Sequence, residues 1–260
     1  MENGILGLVA AMPDEINPLL GRVGAYSREK INGFEAYRFS IGAREIVLVR
    51  SGMGPENAAA ATHALIDAVS PDMIVNFGFA GAVTEGIAVG DIIVAERVLL
   101  NREGLFSLQP GIDDGKAAEL AVQLENAFQG NDFRVRTGTF ITAARIKSKL
   151  ELAGLIPAGV KNPVLEMETA ALAMAAAKRN VPLIAIRAVS DDAGEELGFT
   201  IEELTDGKMN IKIGKVFLTL ARKPWIVPQM LRLAKNSRKA GKNLAVVIAA
   251  TLETLQVRKM

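Results

Sequence analysis

Residues 73–81 read Met73-Ile74-Val75-Asn76-Phe77-Gly78-Phe79-Ala80-Gly81. Five mostly apolar residues closed by a glycine-rich segment describe a short buried strand followed by a tight turn. Working outward, similar runs recur at Ile5–Ala11, Glu45–Arg50, Asp91–Ala95, Arg134–Ile141 and Leu183–Val189. Between them Pro55–Val69, Lys116–Phe128, Glu168–Lys178 and Glu202–Leu220 carry the 3.6-residue apolar spacing of helices. Tyr37–Ile41 and Glu45–Arg50, joined by Gly42-Ala43-Arg44, predict an antiparallel hairpin within Phe34–Arg50. The alternation describes an α/β fold, a three-layer α/β/α sandwich with a mixed, mostly parallel central sheet. One large domain over residues 1–221 and a basic helical extension over 222–260 are expected.

Composition narrows the chemistry. With no cysteine among 260 residues, disulfides, zinc–thiolate clusters and thiolate catalysis are excluded, and a reducing cytoplasm is the expected location. No apolar run approaches the roughly 20 residues of a membrane span, and the N-terminal residues lack a secretory pattern. Residues 1–221 hold 21 basic and 28 acidic side chains, whereas 222–260 hold 9 basic and 1 acidic. So acidic a body is a poor nucleic-acid binder, because that affinity comes from lysine and arginine displacing counterions.

In such sheets ligands sit beyond the carboxyl ends of the strands. The first strand delivers Met12-Pro13-Asp14-Glu15 there, a carboxylate that is either a general base or an acid complementing a helix start. Ser51-Gly52-Met53-Gly54 and Gly78-Phe79-Ala80-Gly81 place glycine turns at neighbouring strand ends, suggesting a pocket floor. Glu166-Met167-Glu168 sets two carboxylates two residues apart. On extended backbone both address one ligand; if a helix has begun, Glu168 only aids its N-terminus. Arg187-Ala188-Val189-Ser190-Asp191 ends the strongest strand with an acid able to hold a proton at a ligand nitrogen, or to cap the next element.

The ordered set closely resembles the nucleoside phosphorylase superfamily. It comprises Gly7…Ala11-Met12 with Glu15, Ser51-Gly52-Met53-Gly54, Asn76-x-Gly78-x-Ala80-Gly81 with Val89-Gly90-Asp91, Glu166-Met167-Glu168 and Arg187-Ala188-Val189-Ser190-Asp191. Within the superfamily it is most similar to the methylthioadenosine/S-adenosylhomocysteine nucleosidases, over residues 4–221. The resemblance implies a nucleoside phosphorylase-like domain. It implies Glu15 as the base that activates water, Glu168 as the ribose-hydroxyl ligand with Met167 beneath the sugar, and Asp191 as the acid at purine N7, oriented by Ser190. Arg187 would lie near the nucleophile, and Met12, Gly54, Phe79, Ala80, Gly81, Ile146 and Glu166 would line the substrate site. No metal or organic cofactor is implied, and a homodimer is, because these nucleosidases complete the 5′ pocket from a second subunit.

Departures from the pattern carry their own reading. Where hexameric phosphorylases hold phosphate with arginine and serine, this chain has Asn76 and Phe79, so water is the expected nucleophile. Ile146 takes the position of an aromatic base clamp, within Ala143-Ala144-Arg145-Ile146. The segment between Leu100 and Lys116 is shorter than the family's 5′ cap, which suits a bulky or lipid-linked 5′ group. Hopanoid-associated phosphorylases, acting on adenosylhopane, are one such resemblance. The expected activity is hydrolysis of a 5′-substituted adenine nucleoside to free adenine; a phosphorolytic enzyme and a non-catalytic nucleoside-binding module are the alternatives. His63 reads as structural and Trp225 as a tail anchor.

The tail has Arg232, Lys235, Lys239 and Lys242 on one helical face and Met230, Ala234, Gly241, Leu244 and Ile248 on another. Two readings stand. It is an amphipathic helix lying on an anionic membrane, removable from 225 onward without loss of cleavage, or a helix packed on the body or a partner.

Overall fold

Residues 73–82 form β5, a strand with nine of ten positions buried, so Gly78–Gly81 continue the strand where the sequence predicts a turn. The cause is lateral pairing: β10 (Leu183–Asp191) runs parallel to β5 through Ala188 opposite Phe79 and Asp191 opposite Gly81. The computed structural model describes residues 4–143, 149–195, 203–206 and 213–257. Along these the remaining strands are β1 (Leu6–Ala10), β2 (Ser27–Ile31), β3 (Phe34–Ile41), β4 (Arg44–Arg50), β6 (Ile92–Arg102), β7 (Leu105–Leu108), β8 (Val135–Ala143) and β9 (Val164–Glu166). The helices are α1 (Pro13–Val23), α2 (Pro55–Val69), α3 (Asp114–Ala127), α4 (Lys149–Leu155), α5 (Thr169–Ala177), α6 (Ile213–Arg222) and α7 (Val227–Val257).

The sheet is mixed. β1 lies between β4 and β5, parallel to both, and all five of its residues are buried, as its unbroken apolar sequence requires. Beyond β5 the sheet curls: β5 pairs with β9, β9 with β8, β8 with β6, β6 with β10, and β10 returns to β5. Half of the sheet thus closes on itself while β4, β3 and β2 continue as an open antiparallel wing. β2, Ser-Arg-Glu-Lys-Ile, has a single buried residue, so its polar edge gives no sequence signal.

Helices cover both faces. On one, Ile16 and Leu19 of α1, Leu120 and Leu124 of α3, and Leu244 and Ile248 of α7 pack with Leu6, Leu8 and Phe77. On the other, Ala61 and Leu65 of α2 meet Leu172, Ala173 and Ala176 of α5 beneath Val9 and Ile74. The alternation of Leu8 and Val9 between the two cores is the period-two geometry of a strand. α2 coincides with its predicted range: Gly54 and Pro55 open it and Ser70, at φ 44°, closes it. The helix expected over Glu202–Leu220 is corrected. Glu203–Asp206 are not α-helical, α6 starts at Ile213 and runs to Arg222, and the residues between lie outside the described ones.

The tail is decided by α7. Ala240, Leu244, Ala245, Val247, Ile248 and Leu252 are buried in the main core, and Arg44 of the hairpin donates to the Leu255 carbonyl. Burying the Leu, Val and Ile side chains among them is worth about 1.5–3 kcal/mol each, against at most about 1 kcal/mol per basic residue at an anionic surface. Residues 240–255 therefore stay on the body, and their apolar face is not available to a membrane. The segment before them differs: Leu218, Trp225, Val227 and Leu231 are all exposed, Trp225 by 70% and Leu231 by 67%.

Candidate active site

Glu15 sits at the third position of α1, 4% exposed, beyond the carboxyl end of β1. Its Oε2 accepts the backbone N–H groups of Ala11 and Met12 at 2.8 Å each, and Oε1 accepts that of Phe79 at 3.0 Å. Glu15 therefore complements the start of its own helix, the second of its two readings, and also bridges β1 to β5. Burial pushes its pKa above the ordinary carboxylate value, opposed by the Arg187 charge and these three N–H donors. A buried carboxylate with raised proton affinity is equipped to take a proton from water. The seat exists because of Gly78, where a β-carbon would lie 2.6 Å from Oε1.

Arg187, 2% exposed, is the hub behind the site. One Nη2 donates to Asn76 Oδ1 and Thr169 Oγ1 at 2.7 Å each and to Glu166 Oε2 at 3.1 Å, and the guanidinium stacks over Phe140. Glu166 Oε2 also accepts the N–H groups of Glu168 and Thr169, and its Oε1 accepts the Thr142 hydroxyl. Glu166 is thus saturated inside the protein, and the expectation that it joins Glu168 at one ligand is corrected: Glu166 ends β9 and ties down the start of α5. Asn76, which also donates to the Val9 carbonyl, belongs to this hub.

Glu168 is the N-cap residue of α5 and partly buried, with Oε1 accepting the Gly54 N–H at 2.9 Å. Gly54, at φ 93°, thereby positions this side chain. Burial, with the Glu166 charge next in size and Glu15 adding to it, raises Glu168 to about 7 against the opposing Gly54 N–H and Arg187. The two glycine segments so hold carboxylates: Gly54 holds Glu168, and Gly78 makes room for Glu15.

Asp191 stands at the end of β10. Its Oδ1 accepts the Ser190 hydroxyl at 2.7 Å and its Oδ2 accepts the ammonium of Lys149. Lys149, 6% exposed, also donates to the Asp192 carbonyl at 2.7 Å. Gly81 is the clearance for this pair: a β-carbon there would stand 2.5 Å from Asp191 Oδ2 and 2.9 Å from Lys149 Nζ. Sequence reasoning missed Lys149. The available signal was its helical register with Leu152, which puts a lysine on the buried face of Lys149–Leu155.

The other predicted residues fall as follows. Met12 precedes α1 and Met167 lies between the two glutamates, both partly buried, and Ala80 is 4% exposed with its carbonyl accepting the Ser190 hydroxyl at 3.4 Å. The Phe79 ring packs toward α7, 3.5 Å from where a Gly241 β-carbon would stand, and a β-carbon at Gly241 would stand 2.9 Å from the Asp14 carbonyl. Ile146 lies outside the described residues. Among the described residues no cluster of His, Asp and Glu has the makings of a metal site.

A model of the phosphorylase superfamily matches residues 5–222. The 5′-methylthioadenosine/S-adenosylhomocysteine nucleosidase of Tolumonas auensis is 30% identical over 213 residues, 76% of this chain and 90% of that protein. Among solved structures, futalosine hydrolase of Helicobacter pylori superposes with a TM-score of 0.71 at 17% identity, covering 99% of each chain. The S. pneumoniae 5′-methylthioadenosine/S-adenosylhomocysteine nucleosidase, solved with a transition-state inhibitor, gives 0.69 at 23% identity over 96% of this chain and 99% of that one.

Proposed function

The chain belongs to the phosphorylase superfamily, and on that premise we propose that it hydrolyses the N-glycosidic bond of a 5′-substituted adenine nucleoside, releasing adenine. The observation that carries this reading is that Glu15 and Glu168, held by backbone N–H groups, and Asp191, held by the Ser190 and Lys149 side chains, lie at the carboxyl side of the sheet. Breaking such a bond leaves a cationic, oxocarbenium-like sugar and an electron-rich base. Carboxylates beside the sugar and a proton donor beside the base lower that barrier. Glu15 takes the proton of the attacking water, Glu168 binds the ribose hydroxyls, and Asp191, fixed by Ser190, serves the purine. Glu166 and Arg187 act through the groups they position.

Water is favoured over phosphate because the two positions that would hold a phosphate are committed elsewhere: Asn76 to Arg187, and Phe79 to the packing against α7. Product analysis of methylthioadenosine, S-adenosylhomocysteine, futalosine and adenosylhopane, with and without phosphate, tests this. Adenine release independent of phosphate is the expected result, and strict phosphate dependence reverses the choice of nucleophile.

Two finer parts of the reading concern partners. Exposed Leu218, Trp225, Val227 and Leu231, beside the exposed bases Arg222, Lys235 and Arg238, favour reversible contact with an anionic membrane and hence a lipid-like 5′ group. This surface adjoins the site's end of the sheet, since Arg232 of α7 pairs with Glu195, four residues past Asp191. A second apolar patch, Leu105 and Leu108 of β7 with Leu155 of α4 packed near Gly104, favours a homodimer. Light scattering of the purified protein tests the latter, and a monomer at micromolar concentration removes it.

A further inference from the structure

We infer that Lys149 is the proton source for the departing base, acting through Asp191; the inference rests on the nucleosidase reading above. Both oxygens of Asp191 receive donors, Ser190 Oγ on Oδ1 and Lys149 Nζ on Oδ2. A carboxyl group so occupied is acceptor-only. To donate to purine N7 it must first gain a proton, and the ammonium in contact with it carries one. Lys149 is anchored for this by its second bond, to the Asp192 carbonyl, and by burial. The glycine at position 81 points the same way, because any β-carbon there would collide with both members of the pair.

The step balances. As the bond between C1′ and N9 breaks, its electron pair moves into the purine and N7 takes a proton through Asp191, which is ionised until Lys149 supplies that proton and is ionised again afterwards. The Lys149 proton passes to Asp191 Oδ2, which leaves a neutral amine. Water attacks C1′ and gives a proton to Glu15. Release of products lets the amine regain a proton from solvent, and Glu15 loses one. Among the described residues the ionisable groups that pair here are Lys149 from α4 and Asp191 from the end of β10; Asp192, the next residue, contributes its backbone carbonyl, and Gly81 of β5 lies against the pair. An ammonium is the chemically suitable donor here, since a buried lysine can give up its proton and an arginine cannot.

The test is Lys149→Met, with turnover of methylthioadenosine read across pH and adenine binding read by calorimetry in two buffers of different ionisation enthalpy. At neutral pH kcat should fall about 10²-fold or more, the usual worth of general acid help. It should recover as pH is lowered and Asp191 draws its proton from solvent. Wild type should bind adenine without net proton uptake from buffer, and the variant should take up a proton. A loss that is the same at every pH, no loss, or identical proton uptake by both forms overturns the inference. Absence of adenine release by wild type would instead count against the nucleosidase reading, and the calorimetric comparison would still decide the role of Lys149. If the methionine variant does not fold, Lys149→Gln keeps a donor for the Asp192 carbonyl and is read in the same way.

Discussion

Gly78 lies against the carboxylate of Glu15 so closely that a single methyl group on its α-carbon would stand 2.6 Å from Oε1. The contact joins a β5 glycine to a side chain from the first helix, and three backbone N–H groups hold that side chain in place. Gly78→Ala should therefore displace the carboxylate and lower kcat about 10²-fold, with little change in the affinity for a ground-state analogue. Steady-state kinetics beside calorimetric binding check this. A variant with normal turnover would show that Glu15 need not hold this position.

Glu15→Gln keeps shape and part of the hydrogen bonding but cannot accept the proton of water. Hydrolysis should be lost while analogue binding survives. Undiminished release of adenine would remove Glu15 from the mechanism.

Asp191→Asn retains the contact with Ser190 and a polar group at the base but not an exchangeable carboxyl proton. Turnover should drop by about 10²-fold or more with a modest change in KM. Near-normal turnover would refute the leaving-group role.

Glu168 links the site to pH. With its folded-state value at about 7, above the ordinary 4.5, it keeps a proton in the folded protein that the unfolded chain would release. Its contribution to stability is thus complete below the ordinary value and is lost as pH rises through about 7. Glu15, also raised, acts in the same direction. The melting temperature should fall between about pH 5 and pH 8, and Glu168→Gln should flatten part of that fall. Because ribose hydroxyls donate best to a carboxylate, KM should improve over the same interval in wild type alone. A melting temperature that rises with pH would contradict the assignment.

The exposed segment around Trp225 offers a test separate from catalysis. Trp225→Ser with Leu231→Ser should abolish co-sedimentation with anionic vesicles at low salt and leave cleavage of methylthioadenosine unchanged. Deleting 225–260 should instead yield insoluble protein, since it removes Leu244, Ile248 and Leu252 from the core. If full-length protein ignores vesicles at low salt, membrane contact is excluded.

Much of this arrangement was legible in the sequence where a signal is local. The all-buried strand β1, the buried body of β10, the proline start of α2 and the positions of Glu15 and Asp191 at strand ends all follow from runs and spacings. Long-range properties were not legible in the same way. Gly78–Gly81 look like a turn, and pairing with β10 and, at Gly81, with β9 keeps them extended. Glu166 and Glu168 look equivalent, and only the buried Arg187 separates an internal anchor from an open one. The exposed strand β2 has no apolar pattern to find, and Lys149 is masked by the basic residues Arg145 and Lys147 just before it.

Gly241 of α7 rests against the Asp14 carbonyl and the Phe79 ring, which ties the start of the helix bearing Glu15 to a segment synthesised after all of the candidate catalytic groups. Until that segment is made, the inner faces of α1 and α3 wait without the helix that will cover them. A nascent chain halted before residue 240 would carry nearly all of the candidate catalytic groups and none of the lid over that core. Premature termination here should therefore produce a client for chaperones and proteases, not a smaller working enzyme.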